Sequence, residues 1–157
     1  MTLEIERKFL VRGDFKQYAH ACEKIVQGYL SSVPERVVRV RIKGDKAYIT
    51  VKGAGDESGM CRYEWEKEIP AEEARELIKL CEPGIVDKVR YYIKNGIRKF
   101  EVDEFNGENE GLVIAEIELA DREEAFDRPD WLGEEVTGNK RYYNSSLVKY
   151  PYKDWSK

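Results

Sequence analysis

Charged and apolar residues alternate through about eight segments of this chain, and this alternation constrains the fold more than any other feature. Residues 36–43 show it plainly: Val38, Val40 and Ile42 alternate with Arg39, Arg41 and Lys43. Successive side chains of a β-strand point to opposite faces, so the pattern predicts a strand with one apolar and one charged face. The same argument places Glu4, Glu6 and Lys8 on one face of a strand that opens the chain.

Turn and helix signals divide the rest of the chain. We predict strands at residues 4–11, 25–31, 36–43, 47–52, 61–69, 85–94, 97–105 and 112–119. An apolar stripe after Pro70 predicts an amphipathic helix built on Ala74, Leu77, Ile78 and Cys81. Three more helices are predicted: one after Asp14 with a stripe of Phe15, Tyr18, Ala19 and Cys22, one at the capping-box pattern Asp121–Glu124, and a short one capped by Asn144.

The strand charges are sorted by sign, strand by strand. Basic faces carry Arg39, Arg41 and Lys43, or Lys88 and Arg90; acidic faces carry Glu64, Glu66 and Glu68, or Glu116 and Glu118. Solvated faces usually mix the two signs, although an open sheet with water on one side remains the alternative at this point. We therefore predict an α+β fold, an eight-stranded antiparallel closed β-barrel that forms a tunnel, with a charged lumen and helices packed on the outside.

A lumen with acids on some strands and bases on others suits a polyphosphate with a bound divalent cation. Arginine and lysine neutralise and orient phosphoryl oxygens, and carboxylates hold Mg²⁺ or Mn²⁺. No Gly-rich phosphate-binding loop is visible in the sequence, so binding would depend on side chains.

Composition excludes several other functions. A net charge of −4 argues against general nucleic-acid binding. Three cysteines without CxxC spacing predict buried thiols in a reducing cytoplasm, and the single histidine, His20, predicts an ordinary exposed residue. No apolar run has the length of a membrane span and no signal peptide is visible. We expect one cytoplasmic domain over residues 1–157 that does not act at a membrane.

Several short motifs resemble one known family. Glu4-Ile5-Glu6-Arg7-Lys8-Phe9 resembles the ExExK signature of the CYTH domain, the triphosphate tunnel metalloenzymes. The resemblance continues through Gln27-Gly28-Tyr29-Leu30, Arg39-Val40-Arg41, Thr50-Val51-Lys52, Tyr63-Glu64-Trp65-Glu66, Lys88-Val89-Arg90-Tyr91, Glu101-Val102-Asp103, Glu116-Ile117-Glu118 and Thr137-Gly138-Asn139-Lys140-Arg141-Tyr142.

The resemblance implies a role for each matching position. The metal ligands would be Glu4, Glu6, Glu116 and Glu118. The phosphate contacts would be Lys8, Arg39, Arg41, Lys52, Lys88 and Arg90, with Lys140 closing over the substrate. Glu64, Glu66 and Asp103, together with Lys8, would take part in catalysis. Lys43, Lys99 and Glu101 share the inward parity but match no motif, so they are either structural ion pairs or rim residues.

The resemblance also implies an activity. Without an addition for binding a base, the chain looks most like the bacterial inorganic triphosphatases, which release pyrophosphate and phosphate from tripolyphosphate. Alternatives are a class IV-type adenylate cyclase, for which Tyr29, Tyr48 or Tyr92 could stack a base, a thiamine triphosphatase, and a non-catalytic polyphosphate or nucleotide sensor. Tyr63 and Trp65 are compatible with a homodimer interface and equally with the core of a monomer.

Overall fold

The computed structural model of the chain describes residues 2–155, which contain a nine-stranded antiparallel sheet. The strands are β1 (Thr2–Val11), β2 (Ala21–Ser31), β3 (Arg36–Lys43), β4 (Lys46–Gly53), β5 (Cys61–Ile69), β6 (Val86–Asn95), β7 (Arg98–Phe105), β8 (Val113–Glu118) and β9 (Leu132–Glu135). The helices are α1 (Ala71–Lys79) and α2 (Asn144–Leu147). In the sheet the strands follow the order β5-β4-β3-β2-β6-β7-β8-β1-β9.

The first strand closes the sheet into a barrel. β1 pairs with β8 through Lys8 and Glu116, and its first residues pair with β5, where Leu3 lies opposite Tyr63. Eight strands thus form a closed ring, which leaves no open edge between β1 and β5. The predicted closed barrel is confirmed.

The ninth strand lies outside this ring and was not predicted. β9 pairs with the end of β1, where Phe9 lies opposite Glu135 and Val11 opposite Leu132. Its four residues are too few to show an alternating pattern in the sequence.

The apolar core lies between the outer face of the barrel and the segments that cover it. One cluster packs Phe9 and Phe100 against Trp131, and another packs α1 residue Ala74 against Val40 of β3. A third cluster closes one end of the barrel with C-terminal residues that include Trp155. Strand alternation thus sends the apolar side chains of the first two clusters outward and the charged side chains inward, whereas the third cluster includes Tyr29 and Val37, which line the lumen.

Helix α1 confirms the stripe predicted after Pro70, but two other predicted helices are wrong. After Asp14 the chain makes a single 3-10 turn, Lys16–Tyr18, and β2 already begins at Ala21. Cys22 therefore belongs to a strand and is exposed, which corrects its prediction as a buried thiol. The strand forms here because the segment pairs with β6 from Ala21 onward, and tertiary pairing overrides a weak helical stripe.

The predicted capping box at Asp121–Glu124 does not form, and the donors to its two carboxylates are each one residue earlier than a capping box requires. The Glu123 N–H donates to the Asp121 carboxylate, and the Ala120 N–H donates to Glu124. Glu124 also accepts two hydrogen bonds from Arg98, at 2.7 and 2.8 Å, so the side chain is tied to β7. The segment remains a turn that leads toward Pro129.

Two further expectations need correction. Asn144 is the first residue of α2 and not its cap, and its side chain points into the barrel. Tyr63 and Trp65 are exposed, which excludes the core role for them, and the homodimer stays a prediction. His20 is exposed as expected. Among residues 2–155, no helix combines the length and the apolar character that crossing a bilayer requires.

Candidate active site

A cavity of about 340 Å³ occupies the lumen of the barrel. Its wall is almost entirely charged or polar: Glu4, Glu6, Lys8, Tyr29, Val37, Arg39, Arg41, Lys43, Thr50, Lys52, Arg62, Glu64, Glu66, Lys88, Arg90, Glu101, Glu116, Glu118, Tyr143, Asn144 and Ser145. The inward parity of alternate strand residues gathers these side chains from distant parts of the sequence.

The structure brings together all but two of the predicted site residues. Asp103 points into the barrel but does not line the cavity, because it is buried against Lys88 and Arg90. Lys140 is exposed on a 3-10 turn and does not line the cavity. Of the residues left undecided, Lys43 and Glu101 line the cavity, whereas the ammonium of Lys99 lies 4.9 Å from the ring centre of Tyr92.

Sequence reasoning missed several wall residues. Arg62 follows the inward parity of β5 and could have been assigned from it. Tyr143, Asn144 and Ser145 come from the C-terminal segment, where no alternation marks them. The ring centre of Tyr143 lies 4.9 Å from the Lys8 ammonium and 5.6 Å from the Arg62 guanidinium, so this segment borders the basic part of the cavity.

The acidic part of the cavity is formed where β1 meets β8. Glu6 lies opposite Glu118, and Glu116 lies opposite Lys8. Burial raises the pKa of Glu6 well above its ordinary value, and the neighbouring carboxylates of Glu116 and Glu4 raise it further. Burial alone would also raise the pKa of Glu116, but the Lys8 ammonium and the hydrogen bond with Glu6 hold this pKa well below its ordinary value. Two adjacent carboxyl groups thus share their charge unequally.

The donor set of this acidic part fits a divalent cation. Mg²⁺ and Mn²⁺ prefer carboxylate oxygens, and a cation would relieve the repulsion that raises the pKa of Glu6. Within residues 2–155, no three acidic, histidine or cysteine side chains are already gathered around one point. Glu4 is instead paired with Lys52, whose ammonium lies 3.1 and 3.3 Å from its two oxygens.

The basic part of the cavity contains more cationic side chains than nearby carboxylates. Asp103 accepts from Lys88 at 2.7 Å and from Arg90 at 2.8 and 2.9 Å, and Glu101 lies 3.5 Å from Arg90, so these two cations have two carboxylates between them. Arg39 lies 3.8 Å from Glu66, and its buried Nε has no hydrogen-bond partner within residues 2–155. Among the described residues, Arg41 makes no ion pair. This region therefore has an excess of positive charge.

The pKa values of this region reflect that excess. Burial lowers the pKa of Lys88 to about 7, and Arg90 and Arg41 oppose the favourable effect of Asp103. Burial also lowers the pKa of Arg41 to about 9, with Arg39 and Arg90 adding to the shift. Burial alone would raise the pKa of Asp103, but Arg90 and Lys88 more than offset it and hold the carboxyl ionised. An anion bound here would supply the missing negative charge.

Comparisons with known proteins agree with this geometry. The CYTH domain matches residues 2–151 of the chain. An inorganic triphosphatase of Acetivibrio thermocellus is 49% identical over 158 residues, which cover 99% of each protein. An inorganic triphosphatase of Nitrosomonas europaea is 38% identical over 92% of this chain and 96% of its own length. A solved structure of an inorganic triphosphatase matches with a TM-score of 0.67 at 34% identity, covering 94% of this chain and 95% of that chain.

Proposed function

Because this chain belongs to the CYTH domain family, we propose that it is an inorganic triphosphatase that hydrolyses tripolyphosphate to pyrophosphate and phosphate inside its barrel. The observation that carries the proposal is the division of one cavity into an acidic and a basic part. A triphosphate with a bound divalent cation has the complementary division of charge.

The basic part supplies the contacts to the phosphate groups. Arg39 and Arg41 present planar guanidinium groups that can bind two phosphoryl oxygens at once, and Lys88 adds a point charge. Lys8 and Arg90 line the same cavity, and Lys52 can join them if it leaves Glu4. Because the lumen is narrow and these cations are already in place, they can stabilise charge that develops on the transferred phosphoryl group.

The acidic part supplies ligands for a divalent cation. We assign Glu4, Glu6, Glu116 and Glu118 to this role, with Mg²⁺ or Mn²⁺ as the cation. When bound, the cation would neutralise phosphate oxygens and lower the pKa of a bound water. Glu4 would then exchange Lys52 for the cation, which frees an ammonium for the substrate.

The remaining predicted residues divide into two groups. Glu64 and Glu66 line the cavity and can orient the attacking water. Asp103 is buried outside the cavity lining and holds Arg90 and Lys88, so we assign it a positioning role in place of direct contact with water. The reaction needs water to attack a terminal phosphorus while the bridging phosphorus–oxygen bond breaks and pyrophosphate leaves.

Inorganic triphosphate is favoured over a nucleotide by the state of the tyrosines. The Tyr92 hydroxyl donates to Glu23, and the ammonium groups of Lys43 and Lys99 lie 5.8 and 4.9 Å from its ring centre. Tyr29 is buried, and its hydroxyl accepts a hydrogen bond from Gln27. The ring of Tyr92 is therefore already engaged, and neither Tyr92 nor Tyr48 lines the cavity, so neither is placed to stack a base there.

One assay tests the proposal. The protein is incubated with tripolyphosphate, ATP or thiamine triphosphate in the presence of Mg²⁺ or Mn²⁺, and phosphate, pyrophosphate and cyclic AMP are quantified. We expect equal amounts of phosphate and pyrophosphate from tripolyphosphate and much slower turnover of the other two. Cyclic AMP as the main product would contradict the proposal, and binding without turnover of any substrate would indicate a sensor.

A further inference from the structure

Two neutral amides, Gln27 of β2 and Asn144 of α2, connect the cations of the basic part. The Arg41 Nε donates to Gln27 Oε1 at 2.8 Å, and the Lys88 ammonium donates to Asn144 Oδ1 at 2.7 Å. Gln27 Nε2 donates to Asn144 Oδ1 at 3.0 Å and to the Tyr29 hydroxyl at 3.1 Å. One chain of hydrogen bonds thus runs from Arg41 through both amides to Lys88.

The cations at the ends of this chain determine how the amides are oriented. Arginine and lysine side chains can only donate, so each must face an amide oxygen. Once Gln27 Oε1 faces Arg41, its NH₂ group has two hydrogens for Asn144 Oδ1 and Tyr29. The Gln27 side chain is fully buried, and each of its polar atoms has a partner. The network is therefore satisfied in one arrangement only.

The choice of amides matters because of what carboxylates would do at the same positions. A carboxylate beside Arg41 would form a charge-assisted pair of the kind that Asp103 forms with Arg90. Such a pair would orient the guanidinium but cancel its charge. An amide oxygen orients it through one hydrogen bond and leaves the charge available. Arg41 makes no ion pair within the part of the chain that the structure describes, so its charge remains uncompensated until an anion arrives.

We propose that Gln27 and Asn144 are positioning residues, which hold Arg41 and Lys88 in place for the phosphate groups of the substrate without adding negative charge beyond that of Asp103. This inference rests on the proposed function for the identity of the anion. Both residues lie outside the charged motifs. They hold the cations of the basic part in place and leave positive charge available for an anion.

Carboxylate substitutions test this proposal because they retain shape and change only charge. We expect Gln27→Glu and Asn144→Asp to weaken tripolyphosphate binding at least tenfold, by isothermal titration calorimetry without metal, while the melting temperature stays equal or rises. In steady-state assays the effect should appear mainly in KM. Gln27→Met, which removes the hydrogen bonds without adding charge, should weaken binding less than Gln27→Glu and lower the melting temperature.

A surface substitution provides the control. Gln17 is exposed outside the lumen, so Gln17→Glu makes the same change in total charge and should leave affinity unchanged. Should Gln27→Glu fold poorly, Asn144→Asp gives the same test at a position that is only partly buried.

The outcomes separate this inference from the proposed function. Wild-type hydrolysis of tripolyphosphate with unaltered affinity in both carboxylate variants would overturn the inference and leave the proposed function in place. Wild-type binding of tripolyphosphate or pyrophosphate without hydrolysis, weakened in both variants, would support the inference and contradict the proposed function. Absence of any polyphosphate binding by the wild type would overturn both.

Discussion

The inner and outer faces of the barrel wall are made by the same strands, yet they follow opposite rules. On β7, Phe100 and Val102 point outward into an apolar cluster, whereas Glu101 and Asp103 point inward among charges. The outer face gains stability from burial, and the inner face keeps charges together that repel one another unless a ligand is present. Neighbouring residues in the chain therefore contribute to different properties of the protein, and substitutions on the two faces should separate stability from activity.

The largest expected effect is on the outer face. Phe100 is fully buried, and its ring centre lies 5.1 Å from that of Trp131. Phe100→Ala should lower the free energy of unfolding by about 3–5 kcal/mol, because it leaves a cavity in the cluster. Urea denaturation measures this, and kcat per folded molecule should change little. The matched control is Ile97→Ala in the turn that precedes β7, where the side chain is 92% exposed and the loss should be small. Equal losses would mean that the outer cluster is not the stabilising core.

Next in size is a substitution in the acidic part of the inner face. Glu116→Gln should reduce kcat for tripolyphosphate by about a hundredfold or more, because an amide is a weaker cation ligand than a carboxylate. The fold should persist with a modest fall in melting temperature, because the Lys8 ammonium loses a favourable counter-charge while the apolar clusters outside the barrel are unchanged. Steady-state kinetics and a melting curve measure both, with the exposed Glu110→Gln as control. A collapse of the melting temperature with little change in kcat would assign Glu116 to the structure instead.

A smaller effect is expected in the basic part. Arg39→Ala should raise KM about tenfold with a smaller change in kcat, because one charge-assisted phosphate contact is lost. The exposed Arg36 begins the same strand, so Arg36→Ala is a control with the same change in charge. Unchanged kinetics in Arg39→Ala would remove this residue from the site.

The smallest expected effect is a pH dependence of tripolyphosphate binding. It arises from Lys88 on the inner face, so substitutions on the outer face should not alter it. Since the pKa of Lys88 is lowered to about 7, the unliganded side chain is largely neutral at pH 8. Tripolyphosphate favours the charged form and raises this pKa, so binding should take up a proton, and affinity should fall at most about tenfold per pH unit above 7. Calorimetry in buffers of different ionisation enthalpy measures the uptake, and Lys88→Met should abolish it. Uptake that persists in Lys88→Met would place the titrating group elsewhere.

The same two-face rule explains what the sequence could predict. β3 and β5 have the predicted bounds, and twelve of the predicted site residues line the cavity as their strand parity indicated. Both outcomes could be predicted because the alternation of charged and apolar residues is visible in the sequence. Where the sequence shows no such alternation, residues of the cavity wall could not be predicted. Asn144 looked like a helix cap because local chemistry favours asparagine there, but Lys88 and Gln27 draw its side chain into the lumen.

The wrong helices have a related cause. The stripe after Asp14 and the capping box at Asp121 are local signals of a few residues, and a short helix is marginal without packing. Pairing of Ala21 with Tyr92 and the hydrogen bonds of Glu124 with Arg98 decide the outcome from outside each segment. β9 is the opposite case: its sequence gives no strand signal, and it forms a strand because it pairs with the end of β1.

Strand β1 pairs with strands that lie far along the chain, and this has a consequence for how the chain folds. The Lys8 N–H donates to the Thr137 hydroxyl across 129 residues of sequence, and Glu6 lies opposite Glu118. Contacts this distant in sequence slow folding, because the entropy of closing a long loop must be lost before they form. Strand β1 thus completes its pairing late, and its acids meet those of β8 only after the more than one hundred residues between them have been synthesised.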